Sequence, residues 1–115
     1  MIYKYGPKER ESLREKQSRF VRMVSDLLQF AFAQNYELTF GHAFRCENCK
    51  AGKSHSLHKV RLAIDLNLFQ GGVWLQKTED HKPLGEFWEG LAPDARWGGR
   101  FQDGNHYSLE YGGRK

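Results

Sequence analysis

An α+β fold, a small antiparallel sheet flanked by helices, is what this chain of 115 residues predicts. Three observations carry that expectation. A helical stripe lies near the N-terminus, a cleanly alternating strand lies in the middle, and a double glycine turns that strand into a hairpin. Helical and strand patterns are segregated along the chain, which favours antiparallel pairing over the parallel sheet of an alternating α/β chain.

Pro7 can sit near a helix start, ahead of the charged stretch Lys8 to Lys16. Phe20, Val21, Val24, Leu27, Leu28 and Ala31 then recur at three- and four-residue steps, which predicts a helix with one buried stripe ending near Asn35. Tyr36 to Phe40 reads as a short strand stopped by Gly41. A polar stretch from His42 to Lys59 follows, holding both cysteines and three of the five histidines. From Arg61 to Phe69 the residues alternate, with Leu62, Ile64, Leu66 and Leu68 on one face and Ala63, Asp65, Asn67 and Phe69 on the other. Gly71 and Gly72 turn into Val73–Leu75, Pro83 can open a short helix through Leu91, and His106 to Tyr111 alternates as a last strand.

The length suits one domain over residues 1–115, and apolar residues at 39% supply a core, which argues against wholesale disorder. A net charge of +4 favours an anionic partner: nucleic acid, a membrane surface or an acidic cell-wall polymer. Two cysteines are too few for a disulfide scaffold. No stretch approaches the ~20 apolar residues that span a bilayer, so no membrane insertion is expected. The first twenty residues, Met1 to Phe20, are too charged for a signal peptide and contain no apolar run. Synthesis in the cytoplasm without an export signal is therefore expected.

Asp65 is the first chemical clue, because it interrupts an otherwise apolar strand and a carboxylate near a core needs a positive partner. A salt bridge and a metal both answer that need. His58 lies seven residues earlier, close enough to share a site across the junction into the strand. The segment Asp103-Gly-Asn-His106 is the second clue, since a turn entering a strand would bring Asp103 and His106 to one rim. Two histidines and one carboxylate make a three-ligand zinc set with an open fourth position for water, and Asp103 is the spare carboxylate that could take a proton. Spacing alone leaves a surface histidine and an ion-paired aspartate equally open.

The segments Ser56-Leu-His58-Lys-Val-Arg61-Leu-Ala63-Ile-Asp65 and Asp103-Gly-Asn-His106 resemble the SxHxxxxAxD and (E/D)xxH motifs of the zinc D-alanyl-D-alanine metallopeptidases. The similarity is stronger to their phage endolysin branch, the L-alanyl-D-glutamate peptidases. It extends through Glu15–Phe20, Tyr36–Gly41, Arg61–Phe69, His81–Glu89 and Trp97–Phe101. The resemblance implies the D-alanyl-D-alanine metallopeptidase (hedgehog-like) fold and one zinc per chain held by His58, Asp65 and His106. It makes Asp103 the general base and later proton donor, and Arg45 the group that stabilises the oxyanion. Ser56 would position substrate or the first ligand. Arg61 stands where many carboxypeptidase members carry Gly, and Asp103 where they carry Glu, and both differences fit the endolysin branch.

The partner so implied is peptidoglycan, met by a monomer with no nucleic-acid role. The enzyme would be made in the host cytoplasm and act on the wall after release by a separate membrane-permeabilising protein. Two rivals stand beside this reading. One is a D-alanyl-D-alanine carboxypeptidase. The other is a non-enzymatic zinc module that binds nucleic acid through Cys46 and Cys49 with His55 and His58. The gap between Cys49 and His55 is too short for a zinc-finger helix, and the pair reads as loop residues that neither bind metal nor cycle redox. His42, His55 and His81 read as ordinary polar residues, and Trp74 and Trp88 as core or half-buried packing. Trp97 is expected to line the cleft and bind substrate, with Gly98 and Gly99 allowing a substrate backbone to approach. The N-terminal lysines and arginines read as a solvated helix face.

Overall fold

A computed structural model describes residues 3–41 and 60–112. Arg45, Cys46, Cys49, Ser56 and His58, with His42 and His55, lie outside the described residues. Helix α1 (Leu13–Ala33) is followed by strand β1 (Glu37–Phe40), β2 (Ala63–Gln70), β3 (Val73–Leu75), helix α2 (Lys82–Glu89), β4 (Ala95–Trp97) and β5 (His106–Leu109). Short 3-10 helices at Thr78–His81 and Gly98–Phe101 precede α2 and follow β4. Every strand pairing is antiparallel, in the order β1-β2-β5-β4 with β3 also on β2, so the α+β expectation of a small antiparallel sheet with helices holds.

Helix α1 starts at Ser12, not near Pro7. The Ser12 hydroxyl accepts from the Glu15 N–H while the Glu15 carboxylate accepts from the Ser12 N–H, a reciprocal capping box. The buried stripe runs through Phe20, Met23, Leu27 and Ala31, whereas Val21 is 66% exposed, so the true spacing includes Met23 and leaves Val21 outside. Nor is the basic segment wholly solvated. Arg19 is buried and donates to both Glu11 and Asp94, which ties the chain before α1 and the loop after α2 to one point.

Leu66 and Leu68 of β2 and Tyr107 and Leu109 of β5 share one core with Met23 and Leu27 of α1 and Leu84 and Trp88 of α2. The Trp88 indole N–H donates to the Ser108 carbonyl at 3.0 Å, which fixes α2 to β5. Gly71 and Gly72 both adopt the left-handed region, φ +58 and +78, as a two-residue hairpin turn demands. Strand β4 has no alternation long enough to read from sequence. Its three residues are held by pairing with β5, Trp97 opposite Tyr107.

Arg61 is left-handed, φ 58, at the position where the resemblance places Gly in many carboxypeptidases. A Cβ there crowds the following carbonyl, at about 1–2 kcal/mol for an ordinary residue. Arg61→Gly should therefore stabilise the fold by about 0.5–1 kcal/mol, after the added entropy of the unfolded chain is subtracted. Chemical denaturation of the two proteins checks the sign.

Candidate active site

Strands β2 and β5 run side by side with Asp65 directly opposite His106. Alternation that sends Leu66 and Tyr107 into the core sends Asp65 and His106 to the other face, where both are nonetheless buried. The His106 Nδ1 lies 3.2 Å from the Asp65 Oδ1. Ser108, two residues beyond His106 and on the same face, is fully buried with its Oγ unpartnered among the described residues. The Phe101 ring stands 6.0 Å from the His106 ring. Gly41 closes the end of β1 over this pair: its N–H donates to the Asp65 carbonyl at 2.9 Å, and a Cβ on it would meet the Asp65 Cβ at 3.1 Å.

Asp103 reaches the same rim by a defined path. The chain leaves the 3-10 helix through Gln102 in the left-handed region, φ 62, and then turns so that the Asp103 carbonyl accepts from the His106 N–H at 3.1 Å. The Asp103 N–H donates to the Gly98 carbonyl at 2.8 Å. Gly98 is the floor on which this turn rests, since a Cβ there would lie 2.1 Å from the Asp103 carbonyl oxygen and 2.7 Å from the His106 Cβ. The Asp103 side chain is exposed on a cleft of about 210 Å³ that Asn67, Trp74, Gln76, Thr78 and His81 also line.

Trp97, expected on the cleft as a substrate-binding residue, is buried behind it at 3% exposure. Its indole N–H donates to the Gly104 carbonyl at 2.7 Å, holding the Asp103–His106 turn from the core side. The glycines around it serve the protein's own packing, not substrate. A Cβ on Gly85 or Gly99 would sit 2.1 or 2.2 Å from the indole, and one on Gly104 would sit 2.6 Å from the Thr78 Cα. Trp74, read as core or half-buried packing, is 52% exposed at the cleft rim and stacks on Phe69, which fits the half-buried alternative. Trp88 is core, as expected.

Sequence reading missed His81. It is 3% exposed, its Nδ1 is 2.8 Å from the Tyr107 hydroxyl, and it lines the cleft beside Asp103. Its only sequence signal is its place just before Lys82-Pro83, where the chain enters α2. Burial disfavours the charged ring and pushes the His81 pKa down to about 4, only partly opposed by Asp80. The unfolded chain then binds the extra proton first. Stability conferred by neutral His81 is complete above about pH 6.5 and is lost as pH falls toward about 4. Replacing His81 with Gln should flatten that acid limb of the stability curve, which urea titrations between these limits would show.

Among the described residues, no group of three or more His, Cys, Asp or Glu side chains comes together. The two that do, Asp65 and His106, offer one carboxylate and one imidazole on a shared buried face, a donor pair suited to zinc. The family description of D-alanyl-D-alanine carboxypeptidase, in the M15 peptidases, matches residues 50–109, more than half of the chain. This chain belongs to the M15 peptidases. The match covers Ser56, His58, Asp65, Trp97, Asp103 and His106, while Arg45, Cys46 and Cys49 precede it. No curated protein matches the chain. As an M15 peptidase it is a hydrolase of peptide bonds, and the Asp65–His106 face with the Asp103 turn is its candidate active site. None of the described helices is long and apolar enough to cross a membrane.

Proposed function

We propose that this M15 peptidase is a zinc-dependent endolysin that cleaves peptidoglycan stem peptides at the L-alanyl-D-glutamate bond. The observation that carries the reading is the buried Asp65–His106 contact of 3.2 Å, with Asp103 held beside it by a turn that His106 itself closes. The fold would be that of the D-alanyl-D-alanine metallopeptidases, in one domain acting as a monomer.

In this mechanism Asp65 and His106, together with His58, would hold the metal. Zinc, when bound, supplies a Lewis acid that polarises the scissile carbonyl and makes water acidic enough to deprotonate near neutral pH. The Asp103 carboxylate takes the proton from the attacking water and returns it to the leaving amine. Arg45 would stabilise the negative charge that develops on the carbonyl oxygen, and Ser56 would orient the substrate or His58. Exposure of the Asp103 side chain on the cleft, with its backbone locked on both sides, suits a group that must meet substrate yet not wander. Release from the host cytoplasm by a separate membrane-permeabilising protein completes the endolysin reading.

The family's description favours one second reading, a D-alanyl-D-alanine carboxypeptidase, in which the same residues act on the terminal bond. Mass spectrometry of digested peptidoglycan separates the two: new N-terminal D-glutamate supports the first, and released D-alanine the second. The purified protein should carry about one zinc per chain, and His106→Ala should lose both the metal and lysis. Full zinc content and full lysis in that variant would refute the assignment of His106.

A further inference from the structure

The cleft beside Asp103 is lined in part by His81, which is backed by Tyr107 in a buried pair that the mechanism above does not use. His81 and Tyr107 come from the 3-10 helix before α2 and from β5, and they meet at 2.8 Å with both side chains shielded from bulk solvent. A hydrogen-bond count fixes which of them donates. The Tyr107 hydroxyl has one proton to place, and the His81 Nδ1 is its only partner among the described residues. If Nδ1 carried the hydrogen, the hydroxyl proton would be buried with no acceptor, a costly arrangement for a buried donor. The hydroxyl therefore donates to Nδ1, and the neutral ring carries its hydrogen on Nε2. Nε2 has no partner within the described protein and is not among its buried unpaired atoms, so that edge of the ring opens on the cleft His81 lines.

We propose that His81 is a substrate-binding residue whose Nε2–H donates to a carbonyl oxygen of the peptide lying in the cleft beside Asp103. The donor is pre-aimed, because Tyr107 fixes the tautomer and its own ring is held by Trp88, edge-on at 6.1 Å. The ring is neutral, which suits an uncharged amide acceptor. Its neighbours along the cleft, Asn67, Gln76 and Asn105, are amides that can pair with the remaining peptide groups. The inference rests on the peptidase reading for the identity of the ligand, but the tautomer does not.

The test is imidazole 15N NMR on the zinc-loaded Asp103→Asn protein, before and after addition of a synthetic stem tetrapeptide. The free protein should show His81 protonated at Nε2 with a bare Nδ1, and the peptide should shift the Nε2–H resonance. In the otherwise unaltered enzyme, His81→Phe should raise KM at least tenfold with kcat within threefold, and His81→Gln, which keeps an N–H donor, should recover part of the loss. A hydrogen on Nδ1, or a peptide that leaves Nε2–H unmoved, overturns the proposal. Should His81→Phe fail to fold, the resonance shift and His81→Gln still decide. A shift in Asp103→Asn together with an unaltered enzyme that never cleaves the peptide would refute the peptidase mechanism and leave the His81 contact standing. Cleavage without the shift would do the reverse.

Discussion

Asp103→Asn should keep about one zinc per chain and lose on the order of a hundred- to ten-thousandfold in turnover, the usual worth of a positioned general acid–base group. Its side chain has no hydrogen-bond partner among the described residues, whereas its backbone N–H and carbonyl are bonded to Gly98 and His106. The amide is nearly isosteric, so the turn should stay closed and the melting temperature should hardly change. Elemental analysis and hydrolysis of a stem peptide, measured on the same preparation, check both halves. Near-normal turnover would reassign Asp103 as a purely structural turn residue.

Gly98→Ala carries the next largest expected effect, and it touches no substrate. The added methyl would lie 2.1 Å from the Asp103 carbonyl oxygen, a backbone atom that can yield only if the whole turn moves. Overpacking of this kind costs about 1–3 kcal/mol. Displacing Asp103 and His106 together by even ~1 Å should cost about a hundredfold in rate. Gly6→Ala is the matched control, because a Cβ at Gly6 meets nothing within 4 Å. A Gly98→Ala protein with wild-type rate and stability would mean that the turn does not rest on Gly98 as described.

Where periodicity is long, the sequence was readable. Strand β2 alternates over eight residues, and its faces fall as the pattern predicts, with Leu66 and Leu68 in the core and Asp65 opposite them. The hairpin at Gly71-Gly72 was equally plain, because two left-handed residues in a row call for glycine. Strand β4 was missed because three residues cannot display a period, and its existence depends on β5 lying beside it. Val21 and Met23 were exchanged across the edge of the helical stripe, since both fit an apolar face until the neighbouring elements decide where it ends. At the candidate site, an interrupted apolar strand and motif spacing singled out Asp65, Asp103 and His106, and the pairing of β2 with β5 brings Asp65 and His106 to 3.2 Å. Trp97 was misplaced because a tryptophan followed by two glycines looks the same whether substrate or the protein's own turn approaches the glycines. His81 gave no warning, because its burial is made by Tyr107, which is twenty-six residues away in sequence.

Strand β5 carries His106 on one face while its next residue, Tyr107, is fully buried among the core side chains on the other. The face that carries His106 and the hydrophobic interior are thus separated by a single layer of backbone. Evolution has little freedom on that side, since a change that retunes this face from behind also unsettles the packing that keeps the molecule folded. New substrate preferences would have to be written on the β2–β3 hairpin. There Trp74 and Gln76 border the cleft that Asp103 also lines, and Trp74 is 52% exposed. Divergence in substrate preference should therefore be recorded in the hairpin and not in the strand that carries His106.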